Sequence, residues 1–347
     1  MASLSCSGET TSTGFVPAGV IISAEDPPVA ERPPAAPSST PSQGPSSTRP
    51  EPGLGAPYPI VLAHGFFGFD EFAGLDFATY FFEVQEHLTD RGEFYVFTPA
   101  VDPFNDSSSR GFQLADAIEE IRALTGYEKV NLIGHSQGGL DARVVAHDHP
   151  EWVASVTTLQ TPHGGTRISD IALQIVSDPN LQEVLDWLVQ LVGAGLYEEI
   201  DGDTSISDAL AQFSGPEMER FNAAYPDHPD VFYASIAGRS DGHRGGTDCQ
   251  TEDAPGFVTR WADETDPIDP LFAVSEALLD GGFGDPYPND GLVRVRDARW
   301  GTFLGCLPAD HMDMVGHLLG DDPGRRNDWE HKQFYVDLIR YLRSRGL

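Results

Sequence analysis

The chain has 347 residues, 40% of them apolar, and a formal net charge of −33 from 21 basic and 54 acidic residues. This length allows one large α/β domain or two small ones, with enough apolar residues for a sizeable core. The strong negative charge argues against nucleic acid and anionic membrane surfaces as partners. No stretch approaches about 18 uninterrupted apolar residues, so we predict no transmembrane segment.

The N-terminal segment, residues 1–56, is rich in Pro, Ser, Thr, Gly and Ala and has few large apolar side chains. Such a segment cannot bury enough surface to offset the entropy of ordering it. We expect it to be a disordered leader or linker, and residues 57–347 to form the folded domain. The chain begins without the basic and apolar regions of a signal peptide, so either the protein is cytoplasmic or a signal has been removed. Cys6, followed by the Ser/Thr/Pro-rich tail, resembles the lipid-anchored start of a mature lipoprotein, with a plain exposed thiol as the alternative.

Short apolar runs and stretches of helical period alternate along the rest of the chain. The apolar runs predict strands at residues 60–63, 94–97, 130–133, 153–159 and 231–237. The helical period predicts helices at residues 77–88, 113–124, 140–146 and 329–342. This alternation predicts an α/β fold with a mostly parallel central sheet and helices on both faces.

The alternation breaks between the fourth and fifth strands, where we expect a helical insertion at about residues 163–228. Residues 181–192 place Leu and Val side chains along one side of a predicted helix. The insertion is either a cap packed permanently on the core or a mobile lid. A lid would cover the site with its apolar face in water and open towards lipid.

Residues 134–138 read Gly-His-Ser-Gln-Gly and lie between an apolar strand and a helical stretch. A serine on such a tight turn projects its hydroxyl above the sheet, and the flanking glycines leave room for neighbouring backbone. We therefore predict that Ser136 is a nucleophile. The plain alternative is an exposed serine in a glycine-rich turn.

A nucleophilic serine needs a histidine to accept its proton and a carboxylate to orient that histidine. After a serine of this kind the acid and then the histidine follow along the chain. His311 lies in a late segment, residues 309–313, where the base is expected, and His317 competes with it. Asp290 lies in the turn 288–291 and is the candidate acid, although an ordinary Asn-Asp-Gly turn would read the same way.

The reaction also needs backbone N–H groups that stabilise the charge developing on the substrate carbonyl oxygen. One is expected after the nucleophile, at Gln137. The second is expected in the loop after the first strand, and we predict the amide of Phe66. We expect His64 to brace this loop by hydrogen bonds rather than to transfer protons.

The chain has three cysteines, of which Cys249 and Cys306 lie in the folded part and Cys6 lies in the tail. This distribution predicts a disulfide between Cys249 and Cys306. A disulfide is typical of an oxidising compartment, so we predict a secreted or extracellular protein.

Several segments together resemble the bacterial family I true lipases of the Pseudomonas–Burkholderia group. They occur in family order at residues 58–70, 130–139, 153–157, 161–165, 289–293 and 310–313. The resemblance implies an α/β-hydrolase fold with Ser136, Asp290 and His311 as the catalytic triad. It implies no organic cofactor, and an acylglycerol or other ester at a lipid–water interface as the substrate.

The resemblance also implies a structural Ca²⁺ that holds the histidine loop. Asp313 matches one family ligand, and Asp269 is the best match to the second, with Asp266 in reserve. Backbone carbonyls of His317 and Asp321 match the remaining two. The family has Gln where this chain has His317, a change that a carbonyl ligand tolerates.

The position of the disulfide differs from that in the family, and the need for a foldase stays open. The family's disulfide also spans the catalytic acid, but its second cysteine follows that acid closely, whereas Cys306 comes just before His311. Some members need a dedicated foldase, which is a possible partner here.

We therefore predict a carboxylic ester hydrolase, a triacylglycerol lipase that works through an acyl-enzyme. A short-chain carboxylesterase or polyester depolymerase with the same triad is the first alternative. Acyl transfer to alcohols and a non-catalytic hydrolase-fold binding module are the others.

Overall fold

A computed structural model describes residues 53–66, 80–103, 105–170, 211–244, 246–252, 254–281, 287–317, 323 and 327–347. These residues belong to one compact unit that spans residues 51–347. Most of the predicted leader, Cys6 included, and residues 171–210 of the predicted insertion lie outside them. Within the described part, no helix is long and apolar enough to cross a membrane.

The described strands form one six-stranded parallel sheet in the order β2-β1-β3-β4-β5-β6. Their bounds are Ile60–Ala63 (β1), Val96–Phe97 (β2), Val130–His135 (β3), Val153–Leu159 (β4), Phe232–Arg239 (β5) and Thr302–Pro308 (β6). Every residue of β1, β3 and β4 is buried, as is typical of parallel strands covered on both faces.

The helices are Val84–Thr89 (α1), Ser107–Thr125 (α2), Gln137–Asp148 (α3), Gly215–Ala224 (α4), Gly256–Thr259 (α5), Ala273–Leu279 (α6) and His331–Ser344 (α7). Alternate strand residues pack against opposite helix layers. On β1, Ile60 and Leu62 belong to the core formed with α1 and α7, whereas Val61 and Ala63 belong to the core formed with α2 and α3. The predicted two-faced α/β architecture is confirmed.

Several elements differ from the sequence-based prediction. Helix α1 begins at Val84, so residues 80–83 of the predicted helix 77–88 are not helical, and β2 covers only Val96–Phe97. Helices α5 and α6 were not predicted. Helix α2 begins earlier, at Ser107, because the carboxylate of Asp106 accepts hydrogen bonds from the amides of Ser108 and Ser109. Strand β6 was not predicted, because Gly305 and Pro308 interrupt its apolar pattern. Gly305 takes a φ of +119°, which glycine adopts at little cost.

The predicted disulfide between Cys249 and Cys306 is present. It joins a short 3₁₀ turn, Thr247–Cys249, to β6. Strand β6 ends shortly before His311, so the covalent link restrains the segment that leads into the predicted catalytic histidine. Such a link also stabilises the fold by restricting the unfolded chain.

Candidate active site

Ser136 lies at the sharp turn between β3 and α3, at the carboxyl edge of the sheet. Its φ of 54° and ψ of −127° are unusual for a residue with a side chain. The backbone is held there because the Ser136 amide donates to the carbonyl of Leu159 at 2.9 Å. A strained serine fixed by its surroundings at a strand-to-helix turn is the arrangement expected of a nucleophile.

The glycines around Ser136 are required by close backbone contacts. A Cβ atom on Gly138 would overlap the carbonyl oxygen of Ala63, at the end of β1, and one on Gly134 would overlap the backbone of Gly138. A Cβ on Gly65 would lie 2.7 Å from that of Ser136. The loop after β1 therefore passes directly beside the serine, as the sequence motif predicts.

The predicted acid and base, Asp290 and His311, are brought together. His311 Nδ1 lies 2.9 Å from Asp290 Oδ2, and both side chains are almost fully buried. The backbone amide of His311 also donates to the carbonyl of Asp290 at 2.9 Å. The two residues are therefore held by both main chain and side chain.

The other carboxylate oxygen of Asp290 fixes the acid itself. Oδ1 accepts hydrogen bonds from the amides of Leu292 at 2.9 Å and Val293 at 2.6 Å. This turn leaves Oδ2 for the imidazole. With Nδ1 bound to the carboxylate, Nε2 is the ring nitrogen that remains for proton transfer.

His135, the residue before Ser136, contacts the His311 ring. The rings of His135 and His311 pack with their centroids 4.7 Å apart. Among the described residues, no hydrogen bond joins the Ser136 hydroxyl to the His311 ring. Hydrogen bonds between catalytic groups are often long before substrate binds, so proton transfer between these two residues belongs to the functional proposal below.

Arg110, buried on α2, holds the loop beside the serine. Its guanidinium donates to the carbonyls of His64 at 2.6 Å and Gly65 at 3.3 Å. Its Nε forms a buried ion pair with Asp141 on α3 at 2.8 Å. The pair thereby ties the two helices to the loop that carries Phe66.

His64 braces the same loop, as predicted. Its Nδ1 donates to the carbonyl of Gly65 at 2.9 Å, and its Nε2 accepts from the amide of Val101 at 3.0 Å. Burial, followed by the nearby charge of Arg110, lowers the pKa of His64 to about 4. The ring therefore stays neutral and acts as a hydrogen-bonded brace.

Of the two predicted oxyanion donors, Gln137 follows Ser136 directly, and Phe66 follows Gly65, whose backbone approaches Ser136. Gln137 is the first residue of α3, and its side-chain amide donates to the carbonyl of Asn105 at 2.8 Å. The ring of Phe66 packs edge-on against that of Phe213. Both residues are thus held by their side chains, which leaves their backbone positions beside the serine well defined.

Sequence reasoning missed Gln160, which connects the serine turn to the histidine loop. Its side-chain amide donates to the carbonyls of Ala309 at 3.1 Å and Asp310 at 2.9 Å, directly before His311. Its Oε1 lies 3.0 Å from His135 Nε2. The available signal was a polar residue at the carboxyl end of β4, where a site residue is often found.

The hydrogen bonds around Gln160 fix the state of His135. Because Oε1 of Gln160 is an acceptor, His135 donates from Nε2, and its Nδ1 accepts from the Tyr80 hydroxyl at 2.7 Å. Burial, and then the proximity of His311, lowers the pKa of His135 well below its ordinary value. A neutral His135 adds no positive charge beside the catalytic imidazole.

A buried acidic cluster adjoins the histidine loop and consists of Asp266, Asp310 and Asp313. Ligand oxygens of the three lie within 4.8 Å of one another. Both carboxylate oxygens of Asp266 are buried without a hydrogen-bond partner among the described residues. Buried carboxylates in this arrangement need protons or a cation, and an all-oxygen set suits a hard cation.

Burial and mutual repulsion raise the pKa of every carboxyl group in this cluster. Burial is the largest cause in each case. Together with the nearby charges of other acidic residues, it raises the pKa of Asp266 to about 9, that of Asp310 to about 7 and that of Asp313 to about 11. Without a cation, the cluster is therefore expected to hold protons at neutral pH.

The predicted metal ligands meet this cluster in part. Asp313 and the reserve candidate Asp266 belong to it, and Asp269 lies close enough for its charge to raise the pKa of all three members. The backbone amide of Asp269 instead donates to Oδ2 of Asp310 at 3.2 Å. The ring of His317 is buried and packs edge-on against the rings of Tyr80 and Phe82. Asp321 lies outside the described residues.

Comparison with known proteins identifies the family. A triacylglycerol lipase of Vibrio cholerae is 35% identical over 276 residues, which cover 76% of this chain and 81% of that lipase. A triacylglycerol lipase of Pseudomonas fragi is 30% identical over 325 residues, which cover 84% of this chain and 97% of that lipase. The chain belongs to the family of bacterial triacylglycerol lipases. It is therefore a serine ester hydrolase, and the resemblance inferred from sequence motifs is confirmed.

The fold comparisons agree with this assignment. The alpha/beta hydrolase fold model matches residues 58–191. The mature Bacillus licheniformis lipase BlEst2 aligns with a TM-score of 0.56 at 21% identity, covering 83% of this chain and 94% of that one. Staphylococcus hyicus lipase aligns with a TM-score of 0.55 at 18% identity, and the alignment covers 82% of this chain and 95% of that lipase. The predicted α/β-hydrolase fold is confirmed.

Gln160→Leu tests the link between the serine turn and the histidine loop. The change removes the amide that holds the carbonyls of Ala309 and Asp310, so the base should lose its position. We expect kcat on a soluble p-nitrophenyl ester to fall by about 10- to 100-fold, with a smaller change in KM. The matched control is Gln250→Leu at an exposed glutamine, which should leave kcat unchanged. An unaltered kcat in folded Gln160→Leu would show that Gln160 does not position the base.

Proposed function

We propose that this protein hydrolyses long-chain acylglycerols through an acyl-enzyme formed on Ser136. The observation that carries the proposal is the buried hydrogen bond between His311 and Asp290. Its position beside the strained Ser136 turn supports a Ser-His-Asp triad. The relatives named triacylglycerol lipase support the substrate class.

In this mechanism His311 acts first as base and then as acid. Its Nε2 accepts the proton of Ser136 Oγ as that oxygen attacks the ester carbonyl, and Asp290 stabilises the imidazolium that forms. The imidazolium then gives the proton to the leaving alcohol. Water repeats the sequence on the acyl-enzyme and releases the carboxylic acid.

The backbone amides of Phe66 and Gln137 stabilise the oxyanion of both tetrahedral intermediates. This role is supported by the place of Gln137 directly after Ser136 and by that of Phe66 directly after Gly65, whose backbone approaches Ser136. Arg110 makes the loop rigid before substrate arrives, because it binds the carbonyls of His64 and Gly65. Donors that are already oriented need no rearrangement during the reaction.

The apolar ring of Phe66, in the loop beside the nucleophile, supports an acyl substrate. It is partly exposed and packs on a buried cluster of Leu140, Phe213 and Met218. A long acyl chain that covered the exposed part of this ring would gain binding energy in proportion to the area buried. The predicted insertion would add apolar surface, although residues 181–192 lie outside the described residues.

We further propose that the cluster of Asp266, Asp310 and Asp313 binds a structural Ca²⁺. Asp310 and Asp313 flank His311 in sequence, so the ion would hold the loop that carries the base. Its contribution would be charge neutralisation and rigidity. The unpartnered carboxylate oxygens of Asp266 support a cation there.

Export to an oxidising compartment is part of the proposal. The disulfide between Cys249 and Cys306 supports it. Lipid anchoring through Cys6 and the need for a foldase stay predictions.

Two triad substitutions test the proposed mechanism. Ser136→Ala should abolish turnover and labelling by a fluorophosphonate probe. Asp290→Asn should lower kcat by about 10⁴-fold, because the histidine loses the partner that fixes its tautomer. The matched control is Asp230→Asn, in an exposed pair with His228. Substantial turnover by folded Ser136→Ala would contradict the proposed nucleophile.

Chain-length profiling tests the substrate class. We expect higher kcat/KM on p-nitrophenyl esters of long acids than on the acetate, and hydrolysis of emulsified triolein. Ser136→Ala serves as the blank for spontaneous hydrolysis. A sharp preference for acetate with no activity on triolein would indicate a short-chain esterase, and release of soluble products from a polyester film would indicate a depolymerase.

The acidic cluster makes stability depend on pH and calcium. Unfolded aspartates have a pKa of about 3.9, and the folded pKa values are raised. The folded state therefore binds more protons, and the metal-free protein should lose stability as pH rises from about 4 through the folded pKa of Asp310, about 7. Calcium should reverse this loss, by about 2.7 kcal/mol at a concentration of about 100 times its Kd.

Thermal and urea unfolding with EDTA or Ca²⁺ measures this effect. In Asp313→Asn the response to calcium should shrink. In Asp263→Asn, an exposed aspartate nearby, it should not change. Equal stability of the wild type with EDTA and with calcium at neutral pH would contradict the calcium site.

A further inference from the structure

A second group of ligating side chains lies away from the serine and consists of His243, Glu276 and Asp280. His243 belongs to the loop after β5. Glu276 lies on α6, and Asp280 follows four residues later at the end of that helix, so both point to the same side. His243 Nε2 lies 2.9 Å from Asp280 Oδ1 and 3.6 Å from Glu276 Oε1.

The oxygens that face His243 lack hydrogen-bond partners. Glu276 is only 6% exposed, and its Oε1 is buried without a hydrogen-bond partner in the part of the chain that the structure describes. The same holds for Asp280 Oδ1, whose approach to Nε2 is close but lacks the alignment of a hydrogen bond. Buried carboxylate oxygens without aligned donors are costly, so a positive group is expected here, either the protonated imidazole of His243 or a metal ion.

The spacing of the three atoms fits a small metal ion. Zinc binds nitrogen and oxygen ligands at about 2.0–2.2 Å in a tetrahedron, which separates neighbouring ligand atoms by about 3.3 Å. The observed 2.9 Å and 3.6 Å lie on either side of this value. An ion could therefore bind with side-chain adjustments alone.

The donor set also favours one class of ion. An imidazole with two carboxylates suits zinc and similar transition metals, whereas calcium and magnesium prefer oxygen ligands throughout. This distinguishes the group from the all-carboxylate cluster of Asp266, Asp310 and Asp313. Partial exposure of Asp280 leaves room for water as a further ligand.

We propose that His243, Glu276 and Asp280 form a binding site for a zinc-class divalent ion. The proposal does not depend on the substrate class proposed above. The ion joins the loop after β5 to α6, two segments that are distant in sequence.

The position of the site gives the ion a structural role. In the same loop, Ser240 donates its amide at 2.8 Å and its hydroxyl at 3.1 Å to the carbonyl of Asn289, the residue before Asp290. Arg239, at the end of β5, donates to the carbonyl of His243 at 2.7 Å. By fixing the loop after β5, the ion would stabilise the turn that carries Asp290, the proposed catalytic acid.

Without an ion, the same residues could form an ion-paired triad around a protonated imidazole. Glu276 and Asp280 raise the pKa of His243 above its ordinary value, although burial opposes them. A metal and a proton would compete for Nε2. A metal site would bind zinc with a fixed stoichiometry, whereas an ion-paired triad around a protonated His243 would not.

The test is a zinc titration of the full chain, stripped with a chelator and saturated with Ca²⁺ to occupy the acidic cluster. A chromophoric chelator competes for the zinc. We expect one zinc per chain and a rise in Tm. Glu276→Gln and His243→Ala should each weaken binding by at least about 100-fold, since loss of a group that only supports a ligand already costs about 10- to 100-fold.

The matched control is His228→Ala, which removes a partly exposed histidine whose Nδ1 lies 4.0 Å from the exposed Asp230. It should bind zinc as the wild type does. Cobalt substitution in the wild type gives a second readout, because one nitrogen and two carboxylates should produce the visible absorption of a tetrahedral or five-coordinate ion.

Two results would overturn the proposal. One is a wild type that binds zinc no more tightly than His243→Ala. The other is stability that responds to protonation of His243 but not to zinc, which would identify an ion-paired triad. If His243→Ala does not fold, the near-isosteric Glu276→Gln and the cobalt spectrum decide the question.

Discussion

The hydrogen bond from His311 to Asp290 is the contact around which the site is organised. Asp290 can make it because the amides of Leu292 and Val293 occupy its other oxygen. The acid therefore presents one oxygen in one direction. A carboxylate fixed in this way sets both the tautomer and the orientation of the imidazole, which a mobile aspartate would not.

The rest of the structure limits the movement of the histidine loop. Gln160 binds the two carbonyls before His311, and the disulfide to Cys306 restrains the strand that leads into it. Asp310 and Asp313 of the acidic cluster come before and after His311 in the sequence. A cation that neutralised the charge of the cluster would therefore also fix the loop that carries His311. The proposed zinc site would restrain the turn that carries Asp290 in a similar way, because the loop after β5 binds both the ion and that turn.

The sequence predicted the elements whose signals are local. Ser136 was predicted because its motif lies between a buried strand and a helix, and five strands followed from apolar runs. Strand β6 was missed because glycine and proline interrupt it, although pairing with β5 holds it extended. Gln160 and Asp310 were missed because their roles arise from contacts between distant segments, which no spacing rule contains. The meeting of Asp266 with Asp310 and Asp313 likewise depends on how the chain folds before α6.

The central prediction is that Nε2 of His311 accepts the proton of the Ser136 hydroxyl. The most direct measurement is a crystal structure of the protein after reaction with a long-chain phosphonate ester. The account predicts phosphorus bonded to Ser136 Oγ, with His311 Nε2 within about 2.6–3.2 Å of that oxygen or of the leaving-group oxygen. It also predicts that the phosphonyl oxygen accepts from the amides of Phe66 and Gln137. Phosphorus on another residue, or a His311 ring beyond hydrogen-bond reach of the modified serine, would contradict it.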